Sequence, residues 1–153
     1  MTYYDYLSTP IGLVHIYASE RGITQVNFSD ELPTSPSCQK NALVETCKQQ
    51  LQAYFAKQAK HFDLPLDTSG TDFQERVWYA LGQIGYGKTC SYTDLALKLG
   101  QAKAVRALGA ASGKNPLALI LPCHRVIGRD GSLTGYAWGL ERKRWLLCHE
   151  AMP

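Results

Sequence analysis

The chain has 153 residues, 45% of them hydrophobic and 19% charged, enough to build ordinary cores without disulfide staples. It has no low-complexity run, no long block of one charge sign and no apolar stretch able to span a bilayer, which excludes a disordered working part and a membrane-spanning role. The net charge of +3 is uneven: six Lys and Arg face nine Asp and Glu up to Ile84, and ten face four from Gly85 onward.

Tyr3 to Leu7 reads as a strand, followed by a turn at Pro10 to Gly12, an alternating strand from Leu13 to Ala18, a turn at Arg21-Gly22 and a strand from Ile23 to Phe28. Together these predict a small antiparallel meander. From Asn41 to Ala56, Leu43, Val44, Cys47, Leu51, Tyr54 and Phe55 recur at helical spacing, so a helix should close one face of that sheet. Leu64 to Gly70 reads as a connector. Thr71-Asp-Phe-Gln74 has the form of a capping box and opens a helix with Phe73, Val77, Leu81 and Ile84 on one stripe, ended by Gly85 and Gly87. Ser91 should cap a second helix through Tyr92, Leu95, Ala96 and Leu99, stopped at Gly100, and a third covers roughly Ala102 to Ser112.

The last two helices fit a helix-turn-helix. Ala104, Ala107, Gly109, Ala110 and Ala111 would let the third helix approach another surface closely, either a DNA groove or a neighbouring helix, and helix packing is the commoner use. Arg106 in the same helix could contact phosphate, enter the place of a base taken from the stack, or stand solvated. The basic second half suits a polyanion, and a solvated basic face would give the same count.

Five cysteines, Cys38, Cys47, Cys90, Cys123 and Cys148, form an odd set with no CxxC, which argues against a disulfide framework or a zinc knuckle. With a start that lacks the layout of a signal peptide, free thiols in a reducing cytoplasmic setting are expected. The run Leu117 to Leu121 should be buried and ends in Pro122-Cys123-His124-Arg125-Val126. Pro122 fixes its own φ and removes a donor, so the chain can turn and present Cys123 at the edge of the core. Flanking His124 and Arg125 would favour a thiolate there; a buried, unreactive cysteine fits the same residues equally well.

From Thr71 to Glu150 the sequence resembles the O6-alkylguanine-DNA alkyltransferases. Pro122-Cys-His-Arg-Val126 is similar to their acceptor-cysteine signature, with Gly-Lys-Asn115-Pro before it and Gly135-Tyr136 and Trp145-Leu-Leu-Cys-His-Glu150 after it in register. Residues around Ser8-Thr-Pro-Ile-Gly12 resemble the family's ribonuclease-H-like half more loosely. The resemblance implies an α+β fold, with a small N-terminal ribonuclease-H-like antiparallel sheet domain over residues 1–68 and a C-terminal, mostly helical, winged helix-turn-helix-like domain over residues 69–153. It implies direct, irreversible repair of O6-alkylguanine, and possible action on O4 of thymine, by transfer to Cys123.

In that reading Cys123 is the nucleophile, His124 takes its proton through a water, Glu150 orients His124, and Tyr92 donates to guanine N3. The backbone N–H of Ala137 faces O6, and the carbonyls of Cys123 and Val126 accept from the exocyclic amine. Asn115 ties the helix-turn-helix to the acceptor loop. Arg106, Ala104, Ala107, Gly109, Ala110, Arg125, Val126, Tyr136, Ala137 and Trp138 are expected against DNA or the flipped base, with Trp138 narrowing the alkyl pocket. The implied partner is double-stranded DNA entered from the minor groove by a monomer, with no membrane and no cofactor. Some relatives hold an N-terminal zinc, but Cys38, Cys47, His15 and His61 do not follow that spacing, so no metal is expected.

Overall fold

A computed structural model describes residues 2–32 and 39–152, so Cys38 lies outside the described residues. The chain divides into two compact units, Met1–Thr68 with Pro116–Ala118, and Ser69–Asn115 with Leu119–Pro153.

The first unit is an antiparallel sheet in the order β1 (Tyr3–Thr9), β2 (Gly12–Ala18) and β3 (Ile23–Phe28), backed by helix α1 (Ala42–Phe55). Alternation decides the faces. Leu7, Val14, Ile16, Ala18, Val26 and Phe28 are buried, and Val44, Cys47, Leu51 and Tyr54 supply the buried stripe of α1. Asn41 caps α1 by accepting the Val44 N–H at 2.9 Å. A buried carboxylate, Asp5, sits among these strands and accepts from the Lys48 ammonium at 3.1 Å. Burial pushes its carboxyl up, but the Tyr6 N–H and the Lys48 and Lys40 charges outweigh that and hold it low.

The stretch expected to be a plain connector does more. Leu66 bridges Ile23, and Leu117 bridges Val26, both in parallel, so two short segments hydrogen-bond to the free edge of β3. Paired edges no longer offer their backbone groups to another chain.

In the second unit α2 (Asp72–Gly82) begins at the expected capping box: Gln74 N–H donates to Thr71 Oγ1 at 3.1 Å and Thr71 N–H to Gln74 Oε1 at 3.0 Å. It ends earlier than the apolar stripe suggests. Gln83 and Ile84 donate three residues back, to Ala80 and Leu81, so the last turn tightens and Ile84 is buried outside the helix. Strand β4 (Cys90–Ser91) leads into α3 (Tyr92–Lys98), capped by Ser91 through the Asp94 N–H at 3.0 Å. Leu99 closes it and Gly100 follows at φ +69°, a left-handed position that glycine takes without strain.

The next helix, α4 (Val105–Gly113), starts three residues later than the pattern predicts, because Gln101 to Ala104 form a turn and Ala104 offers no capping side chain. A short 3-10 helix (Cys123–Arg125), strand β5 (Val126–Ile127) and α5 (Leu140–Ala151) complete the unit. Trp78 of α2 donates its indole N–H to the Ala111 carbonyl at 2.9 Å, fixing α2 on α4. Among the described residues no helix is long and apolar enough to cross a membrane.

Replacing Thr71 by Ala removes the side-chain acceptor of the Gln74 N–H and keeps only the backbone half of the capping box. A loss of about 1 kcal/mol is expected, read as a lower urea midpoint for the second unit, with Ser in its place restoring most of it.

Candidate active site

One short pairing assembles the site. β4 and β5 run parallel, with Cys90 opposite Val126 and Ser91 opposite Ile127. Tyr92 directly follows β4 and Cys123–Arg125 directly precedes β5, so residues 31 to 33 positions apart in sequence are delivered to one place. Before it, the apolar run is not one extended strand: the chain reverses with Leu119 at φ +73°, an uncommon conformation for a side chain of that size, held by its burial.

The first element of the site is a cavity of about 140 Å³ lined by Tyr92, Gly109, Ser112, Gly113, Cys123, Gly135, Tyr136 and Ala137. Cys123 forms part of its wall and is 6% exposed. Burial pushes its thiol up to about 11, although the Asn115 side chain hydrogen-bonds it and the Lys143 charge pulls the other way. At neutral pH the resting sulfur therefore carries its proton. The same Asn115 donates from Nδ2 to the Leu121 carbonyl at 2.7 Å, pinning the segment before Cys123.

Behind the cavity lies a second element, built on Glu150 of α5. Its carboxylate accepts from His124 Nε2 at 2.7 Å and from Arg125 at 2.7 Å (Nε) and 3.0 Å (Nη2), and the Gly87 N–H approaches at 3.4 Å. Burial pushes Glu150 up, but the His124 and Arg125 hydrogen bonds and charges outweigh that and hold it well below the carboxylate range. Gly87 has φ +74°, and a Cβ there would stand 3.3 Å from the Glu150 carbonyl oxygen, so glycine is what admits this close approach.

His124 is fully buried, which depresses its pKa despite Glu150. Because Arg125 already meets the charge of Glu150, the imidazole stays neutral, with its proton on Nε2 and a lone pair on Nδ1. Among the described residues His124 Nδ1 and Tyr136 Oη are buried without a hydrogen-bond partner. His124 thus keeps an unused lone pair on Nδ1, in the residue next to the protonated Cys123.

Several sequence expectations change here. Flanking His124 and Arg125 do not surround the sulfur with positive charge: both turn to Glu150. Arg125, expected against DNA, is 6% exposed, and its Nη1 donates to the Ile84 carbonyl at 2.6 Å, so its place is inside the protein. Trp138 is not among the residues lining the cavity; it meets Tyr136, which is, edge-on with ring centroids 5.2 Å apart. Val126 is buried in β5, and Ala137 is in the lining.

Helix α4 has two working faces. Arg106, Ala107 and Ala110 are exposed and Ala104 is half-buried at the cap, while Leu108 and Ala111 are buried. Gly109, placed with the exposed set from sequence, turns to the cavity with Ser112 and Gly113. Their spacing of three and four on a helix is the signal that would have found Ser112 and Gly113. Lys143 was also missed: nothing in a stripe of α5 that includes Leu146 and Glu150 marks a lysine as part of a site.

Family models match nearly the whole chain. Residues 2–68 match the ribonuclease-like domain of 6-O-methylguanine DNA methyltransferase, and residues 72–152 match its DNA binding domain. A methylated-DNA–protein-cysteine methyltransferase of Methanosarcina barkeri is 44% identical over 150 residues, 95% of this chain and 94% of the relative. The constitutive one of Bacillus subtilis is 45% identical over 144 residues, 90% of this chain and 87% of the relative. A crystal structure of Mycobacterium tuberculosis OGT in complex with DNA superposes with a TM-score of 0.87 at 42% identity, covering 97% of this chain and 92% of that one.

The ion cluster carries an acid signature. Glu150 binds its proton less readily folded than unfolded, so its contribution to stability is complete above its ordinary value of 4.5 and drains as the pH falls below it. His124, also depressed, adds a loss that begins as the pH drops below 6.5, where the unfolded chain takes up the proton first. Urea midpoints should therefore fall from pH 7.5 to pH 4. Glu150→Gln, which leaves Arg125 buried without its carboxylate, should cost about 3 kcal/mol at pH 7.5 and remove the part of the acid loss that sets in below pH 4.5, while the His124 part remains.

Proposed function

The chain belongs to the 6-O-methylguanine DNA methyltransferase family, and we propose that it repairs DNA by moving an alkyl group, chiefly methyl, from O6 of guanine onto its own Cys123. What supports this reading is a protonated Cys123 in the cavity wall, followed in the chain by a neutral, buried His124 that Glu150 orients.

Transfer begins when the thiol gives its proton to His124 Nδ1 through a water. The sulfur then attacks the alkyl carbon, and the electron pair of the carbon–oxygen bond leaves with guanine. Tyr92, half-buried in the cavity wall and hydrogen-bonded to the Thr134 side chain, donates toward N3, which lowers the cost of that departing charge. Net, sulfur exchanges its proton for the alkyl group, and guanine exchanges the alkyl group for a proton. The backbone N–H of Ala137 faces O6. The carbonyls of Cys123 and Val126 accept from the exocyclic amine; that of Cys123 already takes the Val126 N–H and has a second lone pair to give. Water does not cleave a thioether, so each molecule acts once.

A guanine stacked in a duplex cannot reach this cavity, so the base is flipped out at a cost of a few kcal/mol. Arg106 fills the vacated place, and the exposed small residues Ala107 and Ala110, with Ala104, let α4 enter the minor groove of double-stranded DNA closely. All of these groups belong to one chain, which supports action as a monomer. Residues 69–153 then form the DNA-binding and acceptor domain and residues 1–68 the ribonuclease-H-like one. Cys47, Cys90, Cys123 and Cys148 are free, which fits the reducing cytoplasm.

Incubation with a duplex carrying one O6-methylguanine should add one CH2 to the peptide holding Cys123, restore guanine, and stop after one event. No gain, or a gain on Cys148 instead, would overturn the assignment. The role of His124 has its own signature. Transfer by the native protein should be level from pH 7 to 9, whereas His124→Ala should be about 100-fold slower at pH 7 and climb about tenfold per unit as thiolate forms unaided. Equal rates in the two proteins at pH 7 would remove His124 from the mechanism.

A further inference from the structure

Lys143 lies on the inward stripe of α5 with Leu146 and Glu150, at a position where the pattern calls for an apolar residue. It is wholly buried, so its ammonium does not reach solvent along its own stem. Among the described residues no carboxylate lies within ion-pair distance of it. Its Nζ donates instead to the carbonyls of Thr134 at 2.7 Å and Gly135 at 3.3 Å, and stands 6.0 Å from the centre of the Tyr92 ring. A buried ammonium costs several kcal/mol when no anion balances it, and two carbonyls could be held by a neutral amide. Such a charge is worth keeping where an anion forms briefly.

We propose that Lys143 is a positioning residue for alkyl transfer: it ties down the loop carrying Gly135, Tyr136 and Ala137, and its fixed positive charge serves the anion that passes from Cys123 sulfur to the departing guanine. This rests on the reading of Cys123 as acceptor. Two of its contacts are to groups of the cavity wall, Gly135 and Tyr92. Its charge favours the thiolate of Cys123 and also helps keep His124 neutral. Glu150, the carboxylate of the same helix, is committed to His124 and Arg125, so it does not cancel that charge.

The test compares the native protein with Lys143→Met and with Lys143→Gln, which keeps an amide donor near the loop carbonyls but no charge. Three quantities are read: the pH midpoint for reaction of Cys123 with iodoacetamide, followed on its peptide by mass spectrometry; the single-turnover rate on an O6-methylguanine duplex; and the affinity for that duplex. In both variants the midpoint should rise by about one pH unit and the rate at pH 7.5 fall about tenfold, with duplex affinity unchanged. The melting temperature of Lys143→Met should hold or rise, since an apolar side chain replaces a buried charge. If Lys143→Met does not fold, Lys143→Gln decides alone. Native rates in the variants, or slower transfer with an unmoved thiol midpoint, would overturn the proposal while leaving Cys123 as acceptor. Failure of the native protein to take up methyl on Cys123 would remove the reading on which it stands.

Discussion

The acceptor site depends on one buried carboxylate. Glu150 collects the imidazole of His124 and both prongs of Arg125, and no water competes for those bonds in a site this enclosed. A lone carboxylate would not remain ionised there; Arg125 keeps it so, and Glu150 in turn makes a buried guanidinium tolerable. The result for His124 is a fixed tautomer. Its Nε2–H is spoken for, and the Nδ1 lone pair is the one polar group of the ring left to act. Adjacency in sequence would suggest that His124 and Arg125 both serve Cys123 directly. In the fold both turn to Glu150, and it is Asn115 that hydrogen-bonds the sulfur.

The second constraint is the state of that sulfur. A thiol raised to about 11 by burial is inert toward passing electrophiles, which suits a residue that is consumed by its single reaction. In the mechanism we propose, activation comes with the substrate, when a base, a leaving-group donor and a fixed positive charge act together. Catalytic cysteines that turn over many times are commonly held as thiolates in exposed, electropositive surroundings. Cys123 has the opposite setting at rest, and an acceptor that cannot be regenerated gains from it.

Helix α4 joins recognition to chemistry. Its exposed side carries Arg106 among alanines, its buried side packs Leu108 and Ala111 against the unit, and a third stripe of Gly109, Ser112 and Gly113 lines the cavity. Nine residues serve three surfaces because small side chains occupy so little of the helix circumference. Arg106 therefore stands on the same helix as three residues of the cavity wall.

Much of this was legible in the sequence. The alternation of β1 to β3, the apolar stripe of α1, the capping box at Thr71, the Ser91 cap and the glycine after α3 are local rules, and each is satisfied by residues close together in the chain. The run from Pro122 to Val126, with Tyr92, Asn115 and Glu150 in register, pointed at alkyl transfer through its likeness to the alkyltransferases; the chemistry of Cys123 and His124 alone fitted a buried, unreactive cysteine equally well. Tertiary structure decided the rest: that Arg125 faces inward, that Trp138 touches Tyr136 rather than the cavity, that Gly109 turns to the site, that α2 stops at Gly82, and that Lys143 is buried beside the reacting groups. Each depends on which way a side chain points and on partners far away in sequence. Local periodicity fixes the face of a helix; only packing decides what that face meets.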